Sequence, residues 1–155
     1  MQSSSSLSLQ EGMPAPEFRT QTTDGKTVTL RDYLGRRVVL YFYPKDDTPG
    51  CTVEACGLRD QYQKIRELGA EVVGVSVDDT SSHRKFTEKF NLPFQLAADT
   101  DRTTSKLYGV LNDKSNMSKR VTFIIDEQGK IEKIFETVKP QEHAQEILDA
   151  LKDER

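Results

Sequence analysis

Hydrophobic residues fall along this chain in short unbroken runs, separated by stretches where they recur every three or four positions. Residues 37–43, Arg-Val-Val-Leu-Tyr-Phe-Tyr, form the first run, and residues 71–77, Glu-Val-Val-Gly-Val-Ser-Val, form a second. Continuous β-branched and aromatic runs of this length predict strands covered on both faces. Between them Ala55, Leu58, Tyr62 and Ile65 share one face at helical spacing, which predicts a helix over 51–68 stopped at Gly69. Upstream, residues 20–30 read as a hairpin turning at Asp24-Gly25, and residues 30–34 as a short helical turn ended by Gly35. Downstream, the pattern predicts a helix over 81–90, a strand over 94–97 and a helix over 102–108. A strand over 120–126 then turns at Asp126-Glu127-Gln128-Gly129 into a return strand over 130–138. A last helix covers 140–152, with Pro140 in its first turn.

Strands that alternate with helices imply an α/β fold, with a mixed and largely parallel central sheet flanked by helices and a hairpin extension at the N-terminal side. Ligand chemistry in such folds gathers beyond the carboxyl ends of the parallel strands. The chain has 155 residues, enough for one domain with a real core. Met13-Pro14-Ala15-Pro16 marks the start of the packed part, so we expect a flexible segment over 1–11 and a single domain over 12–155. The Ser-rich start lacks a basic region and a continuous apolar core, which makes it a poor signal peptide and points to a cytoplasmic protein. No apolar run approaches the ~20 residues that span a bilayer. The 22 basic and 25 acidic side chains are mixed and sum to −3, with no basic stripe for nucleic acid. There is no glycine-rich phosphate loop. The two histidines, His83 and His143, lie in polar helical segments and read as surface residues, so no metal site is expected.

The chemistry concentrates after the first buried run, at Pro44-Lys45-Asp46-Asp47-Thr48-Pro49-Gly50-Cys51. Thr48 reads as a helix N-cap, Pro49 as the first helical residue and Cys51 as the third. Unpaired backbone N–H groups and the helix dipole favour negative charge there. A cysteine so placed reacts as the thiolate. Cys51 also continues the apolar stripe of its helix, so it belongs at the bottom of a pocket. Burial opposes ionisation, and a nearby cation is then needed. Arg120, at the start of the strand 120–126, is the candidate, with Lys45, Arg59 and Arg102 as competitors. The second cysteine, Cys56, lies five residues on. That step advances a helix by about 7.5 Å and turns it about 140° beyond one revolution. The sulfurs then diverge, and the Cα atoms exceed the ~4.4–6.8 Å that a disulfide spans. A bond between them requires local unwinding, to which Thr52, Val53 and Gly57 are suited as weak helix formers. Simple packing of Cys56 accounts for it equally well.

The pattern Pro44-x-x-x-Thr48-x-x-Cys51 resembles the active-site motif of the peroxiredoxins at each fixed position. The continuation Thr52-Val53-Glu54-Ala55-Cys56-Gly57-Leu58-Arg59-Asp60 is similar to the bacterioferritin-comigratory-protein or Q subfamily. Arg120 before Thr122-Phe123-Ile124-Ile125-Asp126 matches the arginine of that family. The resemblance runs from about Gly12 to the C-terminus. It implies a thioredoxin-like fold and reduction of hydrogen peroxide and alkyl hydroperoxides. It also implies roles: Cys51 attacks the peroxide, Arg120 stabilises charge, Thr48 holds substrate, Pro44 shields the sulfur and Glu54 orients Arg120. Cys56 would close an intramolecular disulfide, which thioredoxin or a similar dithiol would reset. The resemblance implies no cofactor, whether metal, haem or flavin, and a monomer. A general thiol–disulfide oxidoreductase is the main alternative, but such proteins space their cysteines Cys-x-x-Cys, whereas four residues intervene here. A non-catalytic binding module is the third reading.

Overall fold

The computed structural model describes residues 7–153. Its strands are β1 Arg19–Thr22, β2 Thr27–Thr29, β3 Arg37–Phe42, β4 Ala70–Ser76, β5 Gln95–Ala98, β6 Leu111–Asn112, β7 Met117–Ser118, β8 Val121–Ile125 and β9 Ile131–Phe135. The helices are α1 Pro49–Glu67, α2 Thr80–Phe90, α3 Thr103–Leu107 and α4 His143–Lys152. Seven strands form one sheet in the order β2-β1-β5-β4-β3-β8-β9. Strands β3, β4 and β5 are parallel, and β8 runs antiparallel to β3. The N-terminal hairpin joins the sheet through β1, antiparallel to β5. The expected mixed α/β architecture is present.

Period-two alternation in β3 divides the core. Val39 and Tyr41 face α1, α2 and α4, whereas Val38, Leu40 and Phe42 face Phe18, Tyr33, Tyr108 and Val110. The helical layers are therefore uneven, with three helices on one side and α3 on the other. Helix α1 lays Cys51, Ala55, Leu58 and Ile65 on the sheet, as its spacing requires. It stops at Gly69, whose φ of 84° suits a residue without a Cβ.

Several boundaries differ from the sequence expectation. The ribbon of β6 and β7 is not among the expected elements, because two-residue strands carry no alternation to read. Helix α4 starts at His143, not at Pro140. The Glu142 N–H bonds the Lys139 carbonyl in a separate turn, and Pro140 lies ahead of the helix. Of the flexible segment expected over 1–11, residues 1–6 lie outside the described residues. Residues 7–11 do make contacts: Leu7 is 7% exposed in the core, and the Glu11 carboxylate accepts from the Ile134 N–H. Among the described residues, packing thus extends to Leu7, ahead of Gly12. Both histidines are fully buried, contrary to their reading as surface residues. Their polar sequence neighbours concealed partners that come from other elements.

Gly74 is a tight point of the sheet. A Cβ there would lie 2.8 Å from Leu96 Cδ2 and 2.8 Å from Tyr41 Cζ. Gly74→Ala should therefore overpack the layer beneath α1 and cost roughly 1–3 kcal/mol. A lowered denaturant midpoint with unchanged slope is the expected observation.

Candidate active site

Strand β3 delivers the chain to the site. Beyond Phe42, the loop of Pro44 to Thr48 rises over the carboxyl edge of the parallel strands and feeds α1. Pro44 and Thr48 are half-buried. Thr48 is the N-cap residue, with extended backbone, but its hydroxyl makes no capping bond. It donates instead to the Lys45 carbonyl at 2.9 Å, closing the loop on itself. The first α1 bond runs from the Thr52 N–H to the Thr48 carbonyl. The Cys51 N–H therefore lies ahead of the helical ladder, among the N–H groups that a helix leaves free.

Cys51 is the third residue of α1 and 1% exposed. Both cysteines are free thiols. Cys56 lies in the same unbroken helix, half-buried and outside the core that holds Cys51. The geometry thus agrees with the expectation that the two sulfurs do not bond while α1 is intact.

The β3–β8 register brings in the cation. Phe42 pairs with Val121, so Arg120 stands beside the residues that leave β3 for the loop. Its guanidinium donates to Glu54 Oε1 at 2.7 Å. Burial works against the charge of Arg120, but Cys51 and Glu54 outweigh it, and the pKa is raised. The guanidinium passes close over Gly50, where a Cβ would stand 3.1 Å from Arg120 Nη2. Gly50 is a site residue that sequence reasoning missed; only the close approach explains it. The competing cations are engaged elsewhere or exposed. Arg59 donates to the Phe90 carbonyl and Asp60. Arg102 caps backbone carbonyls of Thr100 and Asn116, and Lys45 is exposed.

Glu54 sits one turn beyond Cys51 and is 1% exposed. Among the described residues its Oε2 has no hydrogen-bond partner, and Arg120 is the group that offsets its burial. Burial outweighs that attraction and pushes the carboxyl up to about 7 from 4.5. His143 is buried behind the site, its Nε2 2.7 Å from the Thr122 hydroxyl and its Nδ1 3.1 Å from Glu146. Burial lowers its pKa, although Glu146 acts the other way.

The Glu54 shift has a thermodynamic sign. A carboxyl raised in the folded state contributes most below its unfolded value, and that contribution is lost as pH rises through the folded one. Wild-type stability should thus decline between about 4.5 and about 7 by an amount on the order of 3 kcal/mol from this group. Glu54→Gln has no such proton to lose. The stability difference between the two proteins, followed by denaturation across that window, should shift in favour of the variant as pH rises.

Comparison with known proteins places the chain in a family. The AhpC/TSA family profile matches residues 12–134. A putative peroxiredoxin bcp of Coxiella burnetii is 43% identical over 151 residues, covering 94% of this chain and 100% of the relative. Peroxiredoxin Bcp of Bacillus subtilis is 42% identical, covering 95% and 98%. The crystal structure of a cysteine-to-serine mutant of Xylella fastidiosa PrxQ superposes with a TM-score of 0.87 at 30% identity, over 93% of this chain and 96% of that one. The fold is therefore thioredoxin-like, with a mixed seven-stranded sheet and an N-terminal hairpin. The buried cysteine at the start of α1 and the arginine beside it stand in a chain that belongs to the Bcp/PrxQ subfamily of the AhpC/TSA peroxiredoxins, and the protein is a thiol peroxidase.

Proposed function

We propose that Cys51 is the peroxidatic nucleophile and Cys56 the residue that resolves it, within one chain. The observation that carries this reading is the placement of Cys51: buried at the third position of α1, coupled to Arg120, with a second free thiol in the same helix. The Cys51 thiolate attacks the terminal oxygen of a hydroperoxide. The S–O bond forms as the O–O bond breaks, and the departing alkoxide or hydroxide takes a proton from solvent. Cys51 becomes a sulfenic acid. The thiolate of Cys56 then attacks the Cys51 sulfur and expels hydroxide, giving a disulfide. Two exchange steps with thioredoxin or a similar dithiol return both thiols. Hydrogen peroxide and alkyl hydroperoxides are the substrates. No metal, haem or flavin enters the scheme.

Each neighbour has a task in this reading. Arg120 stabilises the thiolate and the charge that moves onto the peroxide oxygens. Glu54 fixes the guanidinium through the 2.7 Å bond. The Thr48 hydroxyl directs its hydrogen to Lys45, so its lone pairs are left to accept from the hydroperoxide O–H. The Cys51 N–H donates to the peroxide. Pro44, half-buried at the start of the loop, keeps water from the sulfur. Resolution inside one helix removes any need for a partner subunit, which supports a monomer. Reset by a dithiol fits a cytoplasmic protein, and among the described residues no helix is long and apolar enough to cross a membrane.

The assignment is tested by peroxide consumption coupled to thioredoxin, its reductase and NADPH. Cys51→Ser should abolish turnover, because an alcohol is scarcely ionised at neutral pH. Substantial activity in that variant would overturn it. Arg120→Ala should slow peroxide attack and reduce the ultraviolet thiolate absorbance at neutral pH. Unchanged values would pass the role to another group.

Unwinding of α1 is tested separately. Gly57 is helical, and a Cβ there would meet Ala144 Cβ at 3.6 Å, an ordinary contact. Gly57→Ala should therefore favour the wound state by up to ~1 kcal/mol and slow disulfide formation up to several-fold. Amide exchange across residues 51–60 should be faster in the oxidised protein. Equal protection in both redox states, with the Cys51–Cys56 bond confirmed, would contradict the unwinding step.

A further inference from the structure

The loop that carries Thr48 is held by a polar cluster that the scheme above does not use. Asp46, midway between Pro44 and Thr48, is 8% exposed. Its Oδ1 accepts from the Tyr43 phenol at 2.6 Å. Its Oδ2 accepts from the Ser82 hydroxyl at 2.7 Å and faces His83 Nδ1 at 2.7 Å. Its backbone N–H donates to Asp78 Oδ2 at 2.9 Å, an oxygen that also accepts from the Ser76 hydroxyl. His83 is fully buried on α2, with Nε2 2.9 Å from the Ala97 carbonyl.

The protons follow from the partners. A carbonyl oxygen only accepts, so Nε2 carries a hydrogen. His83 Nδ1 and Asp46 Oδ2 share one hydrogen across their 2.7 Å contact, which joins the two side chains inside the protein. The position of this bond gives it significance. Asp47, the next residue, has φ of 59°, a region uncommon for residues with a Cβ. Lys45, on the other side, lends its carbonyl to the Thr48 hydroxyl. Asp46 is thus the inward anchor of a turn that reaches Thr48 two residues later.

We propose that Asp46 and His83 are positioning residues for peroxide reduction: their buried pair ties the loop from Pro44 to Thr48 onto α2 and so fixes the Thr48 hydroxyl relative to Cys51. The inference rests on the substrate-holding role given to Thr48 above. Neither Asp46 nor His83 touches the peroxide.

Two rates measured on the reduced full-length protein test it. One is oxidation of Cys51 by hydrogen peroxide. The other is alkylation of Cys51 by iodoacetamide, followed by peptide mass, which needs the thiolate but no peroxide cradle. Asp46→Ala should slow the peroxide step by roughly ten-fold or more while alkylation stays within about two-fold, the pattern of a misplaced reacting geometry. Asp46→Asn keeps the shape and lets its amide donate to His83 Nδ1, so it should recover most of the peroxide rate. An equal fall in both rates, or an unchanged peroxide rate in folded Asp46→Ala, would overturn the proposal. Should Asp46→Ala not fold, Tyr43→Phe and Ser82→Ala decide the matter. Each removes one donor to Asp46 and should slow the peroxide step several-fold without affecting alkylation. Unchanged peroxide rates in both would overturn it. A wild-type Cys51 inert toward peroxide would overturn the Cys51 assignment itself, and this inference with it.

Discussion

The ion pair between Arg120 and Glu54 is the interaction on which the site depends. On the proposed scheme Cys51 reacts as an anion while almost fully buried, and it then needs a cation close by to offset the lost solvation. A guanidinium placed there needs a fixed orientation, and only a carboxylate or carbonyl gives one. Glu54 provides it from one turn further along the helix that carries Cys51. Thiol and carboxylate thus share one rigid element, and the cation spans from another. The strain of this arrangement falls on Glu54. Its second oxygen has no partner, and its proton is held up to about 7. A second donor at that oxygen would stabilise the carboxylate and lower its pKa.

That geometry constrains the sheet as well as the helix. Arg120 reaches α1 only because β8 runs antiparallel to β3, with Val121 opposite Phe42. A one-residue slip would turn the side chains of β8 to the opposite face. The fully buried run from Val121 to Ile125 fixes the register from both sides. Core packing and catalytic geometry are therefore one constraint. Gly50 reflects it locally, since a Cβ there would press on the guanidinium at 3.1 Å.

Sequence pattern exposed this arrangement unevenly. The stripe of Cys51, Ala55, Leu58 and Ile65 is local, so both the helix and the burial of Cys51 could be read from spacing. The Pro44–Cys51 motif is likewise contiguous. Arg120 is different. Periodicity left it in competition with Lys45, Arg59 and Arg102; the resemblance singled it out, and strand pairing supplies the physical reason. The histidines fail for the same reason. His83 is surrounded in sequence by Ser82, Arg84 and Lys85, yet its partners are Asp46, 37 residues away, and the Ala97 carbonyl. Thr48 shows a subtler limit. Its N-cap position was legible, but the direction of its hydroxyl depends on the turn at Asp47, whose positive φ no local pattern announced.

The site also divides into parts that must stay and a part that must move. On the proposed scheme, the first turns of α1 unwind after each oxidation, whereas the Thr48 loop and Arg120 must be in place for the next peroxide. The structure separates these demands by the kind of contact it uses. The loop is held by directional polar bonds from Asp46 to Tyr43, Ser82 and His83, all outside α1. Arg120 is anchored on β8 at the edge of a fully buried strand. Apart from the bond between Glu54 and Arg120, the stretch from Thr52 to Gly57 has weak helix formers at Thr52, Val53 and Gly57, and the nearest neighbour of that glycine across the helix interface is Ala144. Small non-directional contacts of that kind are easily broken and reformed. Glu54 lies inside the moving stretch, so unwinding would also release Arg120 from its carboxylate. The cation would then lose its orientation while the disulfide forms, and would regain it only when α1 rewinds around a reduced Cys51.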